Sequence, residues 1–520
     1  MGAFARRSAR IRNAVATLAL AVASICWPAS ARADALGELR LRGELSWGGD
    51  LQGGAPYVFE DARHAGKLRG FEVEIADALA LRLGVRSRFV QNDWSNLIPA
   101  LERGDFDLIL NGLEDTPLRR ERVRLSVPYF VYGETLAVQK ESKVRSLDEL
   151  RGQRVGTLNQ TVAHELLKAR PVEVVLYEGQ QEPYADLAQG RVQGVLLDHV
   201  IADIYGCPMP EVRCLPGDVA RGVYVAAVRR DRPELGRAVD AAIAALIADG
   251  TLRRILESYK LWDARQLELE ERSRTALGSL PSAAPSAPSA PLAPARALPE
   301  TPRRFDLAQA WLFLHGALLT LLISLGAFAL ALPLGLLLAV ARGFGSRPLA
   351  FAAAAYVEVF RGTPVLLQLY ILYFGLAPLV RLGPFEAAIL GLGLNYAAYE
   401  AEVHRGALLA LPRGQTEAAR SLGLSNWQAL RHVLLPQSFR NALPALTNDF
   451  VALLKDSSLV SVITVVELTK RMTIAAVDLH DWLMPGLACA GLYFAMSFPL
   501  SRLALRLERK LAHDSHPAPV

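Results

Sequence analysis

No stretch of this sequence reads GxxxxGK[ST], so the turn that cradles nucleotide phosphates is missing and work driven by ATP needs a second chain. Histidine offers no chemistry either: His64, His164 and His199 stand apart, with neither a paired nucleophile nor the spacing of a metal site. No cofactor, metal or catalytic residue is expected, and the chain does not read as an enzyme. Net charge is only +5, and no run interleaves basic with aromatic residues, which argues against nucleic acid. Charge is thin overall, at 21% of residues against 52% apolar. A mean hydropathy of +0.21 is too high for an ordinary soluble enzyme, and the apolar excess gathers after about residue 305.

What is present divides the chain. Arg6, Arg7, Arg10 and Arg12 precede an apolar run over residues 14–26, and Ala31-Arg32-Ala33 supplies small residues before Asp34, the pattern of a signal peptide over residues 1–33. The alternative is an uncleaved anchor. Cys26 is a poor lipidation site because Ile25 stands where a small residue is wanted. Residues 34–263 alternate strand-like runs (ELSWGG, SRFVQ, DLILNG, TLAVQ, RVGTL, EVVLYE, GVLLDH) with amphipathic helical runs such as FEVEIADALALRLG, which predicts α/β lobes. Cys207 and Cys214 flank a Pro-Met-Pro turn and can close a small disulfide loop in an oxidising compartment; two free thiols are the alternative. Residues 264–304 hold a Pro/Ala/Ser run that lacks donors and fixes φ, so it should be an extended tether.

Five spans are expected in residues 305–510, before a tail over 511–520. Residues 317–340 and 482–501 carry no charge, nor do 362–380. Residues 385–401 and 442–463 contain Glu400, Asp449, Lys455 and Asp456 and read as helices inside a bundle. Arg342, Arg347 and Arg361, the arginines from Arg405 to Arg440, and Arg502, Arg506, Arg509 and Lys510 mark the cytoplasmic side, which leaves the tether outside.

Between two of those spans lies EAARSLGLSNWQALRHVLLP. Glu417, Ala418 and Ala419 open an amphipathic helix, Gly423 permits a turn, and a second helix is expected to stop before Leu435-Pro436. A short helix-turn-helix with polar flanks suits a groove on a soluble partner. This spacing resembles the coupling loop of ABC-transporter permeases. YVEVFRGTPVLLQLYILYFG, LNYAAYEAEVHRGALLALPRGQTEAARSLGL and VLLPQSFRNALPALTNDFVALLKDSSLVSVI resemble the polar amino-acid permeases over residues 310–500. GKLRGFEVEIADALA, WSNLIPALERGDFDLILNGLEDTPLRRERVRLSVPYF, SLDELRGQRVGTLNQT and DLAQGRVQGVLLD resemble the solute-binding proteins of polar amino-acid importers over residues 34–263.

The two resemblances imply a type II periplasmic-binding-protein fold joined to an all-α, five-helix permease domain in a bacterial inner membrane. The binding lobes, about 34–130 plus 223–263 and the segment between, would close like a hinge. The resemblance further implies an amino-acid ligand, a separate ATPase partner and, since the coupling element occurs once per chain, a homodimer, with a second permease as the alternative. By position, Arg119 would clamp the ligand carboxylate and Asp198 its ammonium; Thr161 would offer donors, Trp94 a wall, and Asn111 and Gly112 a close strand end. The competing readings pair Arg119 with Asp115, put Trp94 in the core and make Asp198 a helix cap. Three departures stand out. Gly54 replaces the usual aromatic while Tyr57 is displaced from it, Gln160 replaces a glycine, and Glu114 replaces a small hydroxyl. Glu114 could accept the ammonium, extend the site toward a cationic side chain, or neutralise Arg119.

A ligand-gated channel or sensor can use the same two-lobed clamp. There the pore is inserted between binding segments and a potassium filter reads like TVGYG; here the membrane part is appended and that wording does not occur.

Overall fold

The computed structural model describes residues 35–61, 66–269, 271, 305–377, 379–380, 382–479 and 481–514. The expected signal peptide, His64, residues 272–304 of the tether and residues 515–520 lie outside them.

Eleven strands form the first half: β1 Glu44–Gly49, β2 Phe59–Glu60, β3 Leu68–Arg69, β4 Arg86–Gln91, β5 Leu108–Ile109, β6 Arg124–Gln139, β7 Arg154–Leu158, β8 Glu173–Tyr177, β9 Gly194–Asp198, β10 Val212–Cys214 and β11 Arg221–Val228. β1 pairs in parallel with β4 and β5, and β7 pairs in parallel with β8 and β9. These are the sheets of two lobes. The 16-residue β6 joins them: its first part pairs antiparallel with β11, and Glu134 to Val138 pair with β9. One strand shared by two sheets is a hinge in covalent form.

All seven predicted strands are found. β11 and the first half of β6 were not predicted, because Pro128 interrupts the pattern in β6 and both strands are buried along much of their length, which removes the alternation that marks a strand. The helix Phe71–Leu83 follows its predicted apolar face and ends at Gly84, whose φ of 77° closes the last turn.

The lobes extend past the expected boundary at residue 263. Gln266 is fully buried; its amide donates to the Val131 carbonyl at 2.8 Å and accepts from the Val131 N–H at 3.0 Å, and Leu269 packs in the core. A tether with no core contact cannot begin at residue 264. Cys207 and Cys214 are joined in a disulfide, with Cα atoms 5.5 Å apart.

The second half is helical. Leu307–Phe344 runs beside Pro384–Leu409, and Gly335 permits the approach: a Cβ there would stand 2.5 Å from the Glu400 Cβ. Leu307–Phe344 and Leu483–Arg506 are long and apolar enough to cross a bilayer. Arg347–Gly362 and Val365–Gly375 pass the same test as a pair, bent by 105°. The bend falls at the start of the span expected over residues 362–380, whose helical part, Val365–Gly375, is too short to cross alone: Pro364 has no N–H and drives Thr363 out of the helical region, so the helix stops and restarts. Pro384–Leu409 and Leu435–Asp456, the remaining expected spans, carry several charged residues; Pro384–Leu409 in particular is largely buried.

The coupling segment forms Arg413–Ser421, a turn at Gly423 with φ of 81°, and Asn426–Ala429, which starts on a capping box between Ser425 and Gln428. Here the expectation fails in one respect. The chain does not stop before Pro436 but passes through a wide turn over Leu430–Leu434 into the helix Leu435–Asp456. Pro436 has no N–H to give the preceding turn, and the widened turn over Leu430–Leu434 lies directly before it.

Candidate ligand-binding site

A cleft of about 620 Å³, counting its open mouth, lies between the lobes. The ends of β1 and β5 deliver Asp50, Asn111, Gly112 and Glu114 from one lobe; the ends of β7, β8 and β9 deliver Asn159, Thr161, Glu178 and Asp198 from the other. Tyr57, Trp94 and Tyr177 supply aromatic wall. Six of the seven predicted ligand residues, Trp94, Asn111, Gly112, Glu114, Thr161 and Asp198, therefore share one cavity.

Arg119, the seventh, is not among the lining residues. It is 7% exposed, behind Glu114. Its Nη1 donates to the Glu114 carbonyl at 2.8 Å and to Glu114 Oε2 at 3.2 Å, and its Nη2 donates to the Gln160 carbonyl of the other lobe at 2.7 Å. The neighbouring Arg120, not Arg119, pairs with Asp115. Gln160 has φ of 59°, the left-handed conformation that glycine adopts without strain, and this turns its carbonyl toward Arg119.

The lobes are latched shut by five further hydrogen bonds. The Val162 N–H donates to both Glu114 oxygens at 3.0 and 2.9 Å, the Trp94 Nε1–H to the Asn159 carbonyl at 3.1 Å, and the Tyr57 hydroxyl to Asp198 Oδ1 at 3.1 Å. Tyr205 reaches the Ala55 carbonyl at 3.0 Å. Trp94 is thus wall and latch together. Thr161 caps the helix Val162–Lys168, its hydroxyl accepting from the His164 N–H at 3.2 Å, while Asp198 both lines the cleft and caps through the Ile201 N–H at 2.9 Å. Asn111 accepts from the Asp50 N–H at 2.8 Å, and Gly112 donates to the buried Glu72 at 2.6 Å.

Electrostatics follow from burial. Asp198 is pushed up to about 6 by desolvation, against the pull of the Ile201 N–H and the Tyr224 and Tyr57 hydroxyls. Burial likewise raises the Glu114 carboxyl, while Arg119 and the Val162 N–H pull it back. Asp50, Gln52, Tyr57, Tyr177, Glu178 and Gln180 were not predicted to line the cleft, although Tyr57 was noted as displaced. Asp50 had a signal, as the acid directly after an apolar strand.

The mouth of the cleft is covered by the permease half. The helix Leu468–Leu479 places Lys470 against Asp93 and, at 2.7 Å, Gln52 Oε1; its Arg471 pairs with Glu60. Gln181, from the second lobe, donates to the Val477 carbonyl at 2.6 Å, and Ile474 joins the core of the lobes. Near the bent helix, the Tyr373 hydroxyl meets Asp105 at 3.3 Å and the Arg103 guanidinium lies 4.5 Å from the Tyr373 ring centre. One permease helix therefore touches both lobes at once.

A two-lobed clamp whose cleft opens onto its own membrane helices is the architecture of a binding-protein-dependent transporter subunit. Comparison with known proteins agrees for each half. Residues 49–261 match the bacterial extracellular solute-binding proteins, family 3, and residues 331–513 match the binding-protein-dependent transport system inner membrane component. The glutamine transport system permease protein GlnP of Escherichia coli K12 is 38% identical over 215 residues, covering 40% of this chain and 98% of that protein. The L-cystine transport system permease protein TcyB of Bacillus subtilis 168 is 38% identical over 213 residues, covering 40% of this chain and 91% of that protein. Among solved structures, an ancestral arginine-binding protein bound to glutamine is 30% identical, with a TM-score of 0.40 over 42% of this chain and 99% of that one. The chain belongs to the binding-protein-dependent inner-membrane transport components, and carries a family 3 solute-binding domain fused ahead of its permease domain. It is a transport subunit and not an enzyme.

Proposed function

We propose that the chain is the capturing and membrane-spanning subunit of an ATP-driven importer for an amino acid or analogue. The observation that carries this is the cleft between two lobes that the helix Leu468–Leu479 touches on both sides, which sets the capture site against the permease half. Asp198 takes the ligand's ammonium, Trp94 and Tyr57 wall its body, and Asn111, Gly112 and Thr161 hold the surrounding backbone in place. Arg119 braces the lobes through Glu114 and Gln160.

In this reading residues 1–33 address the chain to the inner membrane, the binding domain faces the periplasm on its Pro/Ala/Ser tether, and the C-terminus is cytoplasmic. Five helices per protomer form the membrane domain, and two protomers pair as a homodimer. Glu417, Ala418, Ala419, Gly423, Leu435 and Pro436 belong to the segment that docks on a separate ATPase, where Leu422 and Trp427 stand exposed. The test is reconstitution of the full chain with its ATPase in liposomes, with the amino acids and their amine derivatives as a panel. At least one member should stimulate ATP hydrolysis and accumulate inside. A panel in which none does either would defeat the importer reading.

A further inference from the structure

The cleft contains a carboxylate of its own at the point where donors from both lobes converge. Arg119 Nη1 from the first lobe and the Val162 N–H from the second both point at the Glu114 carboxylate, at 3.2 Å and at 2.9 to 3.0 Å. A guanidinium and a backbone N–H aimed at one spot across a cleft make a receptor for a carboxylate. Glu114 fills it from within the chain. Arg119 also donates to the Glu114 and Gln160 carbonyls, at 2.8 and 2.7 Å, which ties both of its terminal nitrogens into the chain.

The charges that do line the cleft have one sign. Asp50, Glu114, Glu178 and Asp198 face it; among the described residues no lysine or arginine lines it, and Lys470 reaches its mouth, on Gln52 and Asp93. Asp50 is held firmly, accepting from the Gln52 N–H at 2.9 Å, the Trp94 N–H at 2.9 Å and Gln91 Nε2 at 3.1 Å, and Asp198 is held by Tyr57 and Ile201. Asp50 and Asp198 are thus fixed in place before ligand arrives. A ligand with a free carboxylate would meet Asp50, Glu178 and Asp198, while Glu114 already holds the Arg119 Nη1 and Val162 donors suited to it. A cation meets Asp50, Glu178 and Asp198 and aromatic faces that favour it.

We infer that the cleft takes an organic amine cation of the diamine or guanidino-amine kind, an amino-acid analogue without a free carboxylate. This rests on the reading of the cleft as the importer's capture site and names the ligand class for it. Glu114 then serves as a specificity device: it occupies the carboxylate's place permanently, excluding the amino acid and admitting its decarboxylated relative.

Two matched pairs isolate the carboxylate: agmatine against arginine, and cadaverine against lysine, titrated by calorimetry into the full chain in nanodiscs near neutral pH. The amine of each pair should bind at least about tenfold tighter than its amino acid. Equal or tighter binding of arginine and lysine overturns the inference and leaves the importer reading standing. Binding of none of the four overturns it as well; the importer reading then falls only if the whole panel also fails to drive uptake. The second arm is Glu114→Thr, which empties the receptor, beside Glu114→Gln, which keeps it filled by an uncharged group of the same shape. Glu114→Thr should move the arginine-to-agmatine preference toward arginine by at least about tenfold, with Glu114→Gln moving it less. An unchanged ratio in a Glu114→Thr protein that melts like the parent would overturn the proposal. If Glu114→Thr does not fold, the matched pairs on the parent and on Glu114→Gln decide it.

Discussion

The cleft and the coupling segment are both recognition surfaces, yet they follow opposite rules. In the cleft Asp50, Glu114 and Asp198 are already partnered, and Arg119 behind them is tied to Glu114 and Gln160 within the chain. The coupling segment leaves Leu422 83% and Trp427 60% exposed, and a Cβ built on Gly423 would meet nothing within 4 Å. The contrast tracks the size of what each is to bind. A small ligand buries little area, so its affinity depends on groups fixed in advance. A protein partner supplies area, so its site can remain an uncovered apolar ridge until docking.

Substitutions at either end test whether the two surfaces are separable. The largest effect should come from Asp198→Asn, which keeps the cap on Ile201 but removes the charge facing the ligand. Affinity for a cationic ligand should fall by about 2 to 5 kcal/mol, measured by calorimetry on the full chain, with ATPase docking unchanged. Gly423→Asp comes next. Its φ of 81° makes any side chain strained by about 1 to 2 kcal/mol, too little to unfold the domain, while the new charge sits where the partner must approach. Ligand-stimulated ATP hydrolysis should drop at least about tenfold with ligand affinity intact. If both variants lost both activities, the two regions would not be independent.

The third effect is one of pH and touches the cleft alone. Asp198 is raised to about 6 by burial, so above that pH it is charged and below it increasingly neutral. Cation affinity should weaken about tenfold between about pH 7 and pH 5, as protonation removes the counter-charge. A flat profile would assign the charge contact to another acid. Fourth, Lys470→Ala combined with Arg471→Ala removes the cationic contacts of the helix Leu468–Leu479 with Asp93 and Glu60. Uptake should fall by roughly several-fold while both binding surfaces persist. The smallest effect is expected from halving the Pro/Ala/Ser tether: loop entropy changes slowly with length, so uptake at normal membrane levels should change by less than about twofold.

Much of the cleft was legible because it lies at strand ends, and a strand's end follows from its pattern. Asp198 closes GVLLD and Asn111 follows DLIL, so each could be placed without knowing the partner strand. The pairing of Glu114 with Val162 was not legible, since it exists only when two lobes close and joins residues 48 apart in sequence. The contact of Lys470 with Asp93 spans 377 positions, and no local pattern encodes it. The break at Thr363-Pro364 could have been read from the proline alone, but an uncharged run drew the eye to continuity. The seam at Gln266 was obscured because a buried glutamine looks like a linker residue until Val131 accepts from it.

The helix Leu468–Leu479 holds Gln52, Glu60 and Asp93 on one side of the cleft and Gln181 on the other, so its full grip exists only while the lobes are shut. In thermodynamic terms the permease is a second ligand of the closed clamp. Linkage then works in both directions: whatever tightens that grip must raise the affinity for the captured molecule, and whatever loosens it must lower that affinity by the same factor. A membrane domain that lets go on one stroke of its cycle thereby sets the affinity of a site it does not itself contain.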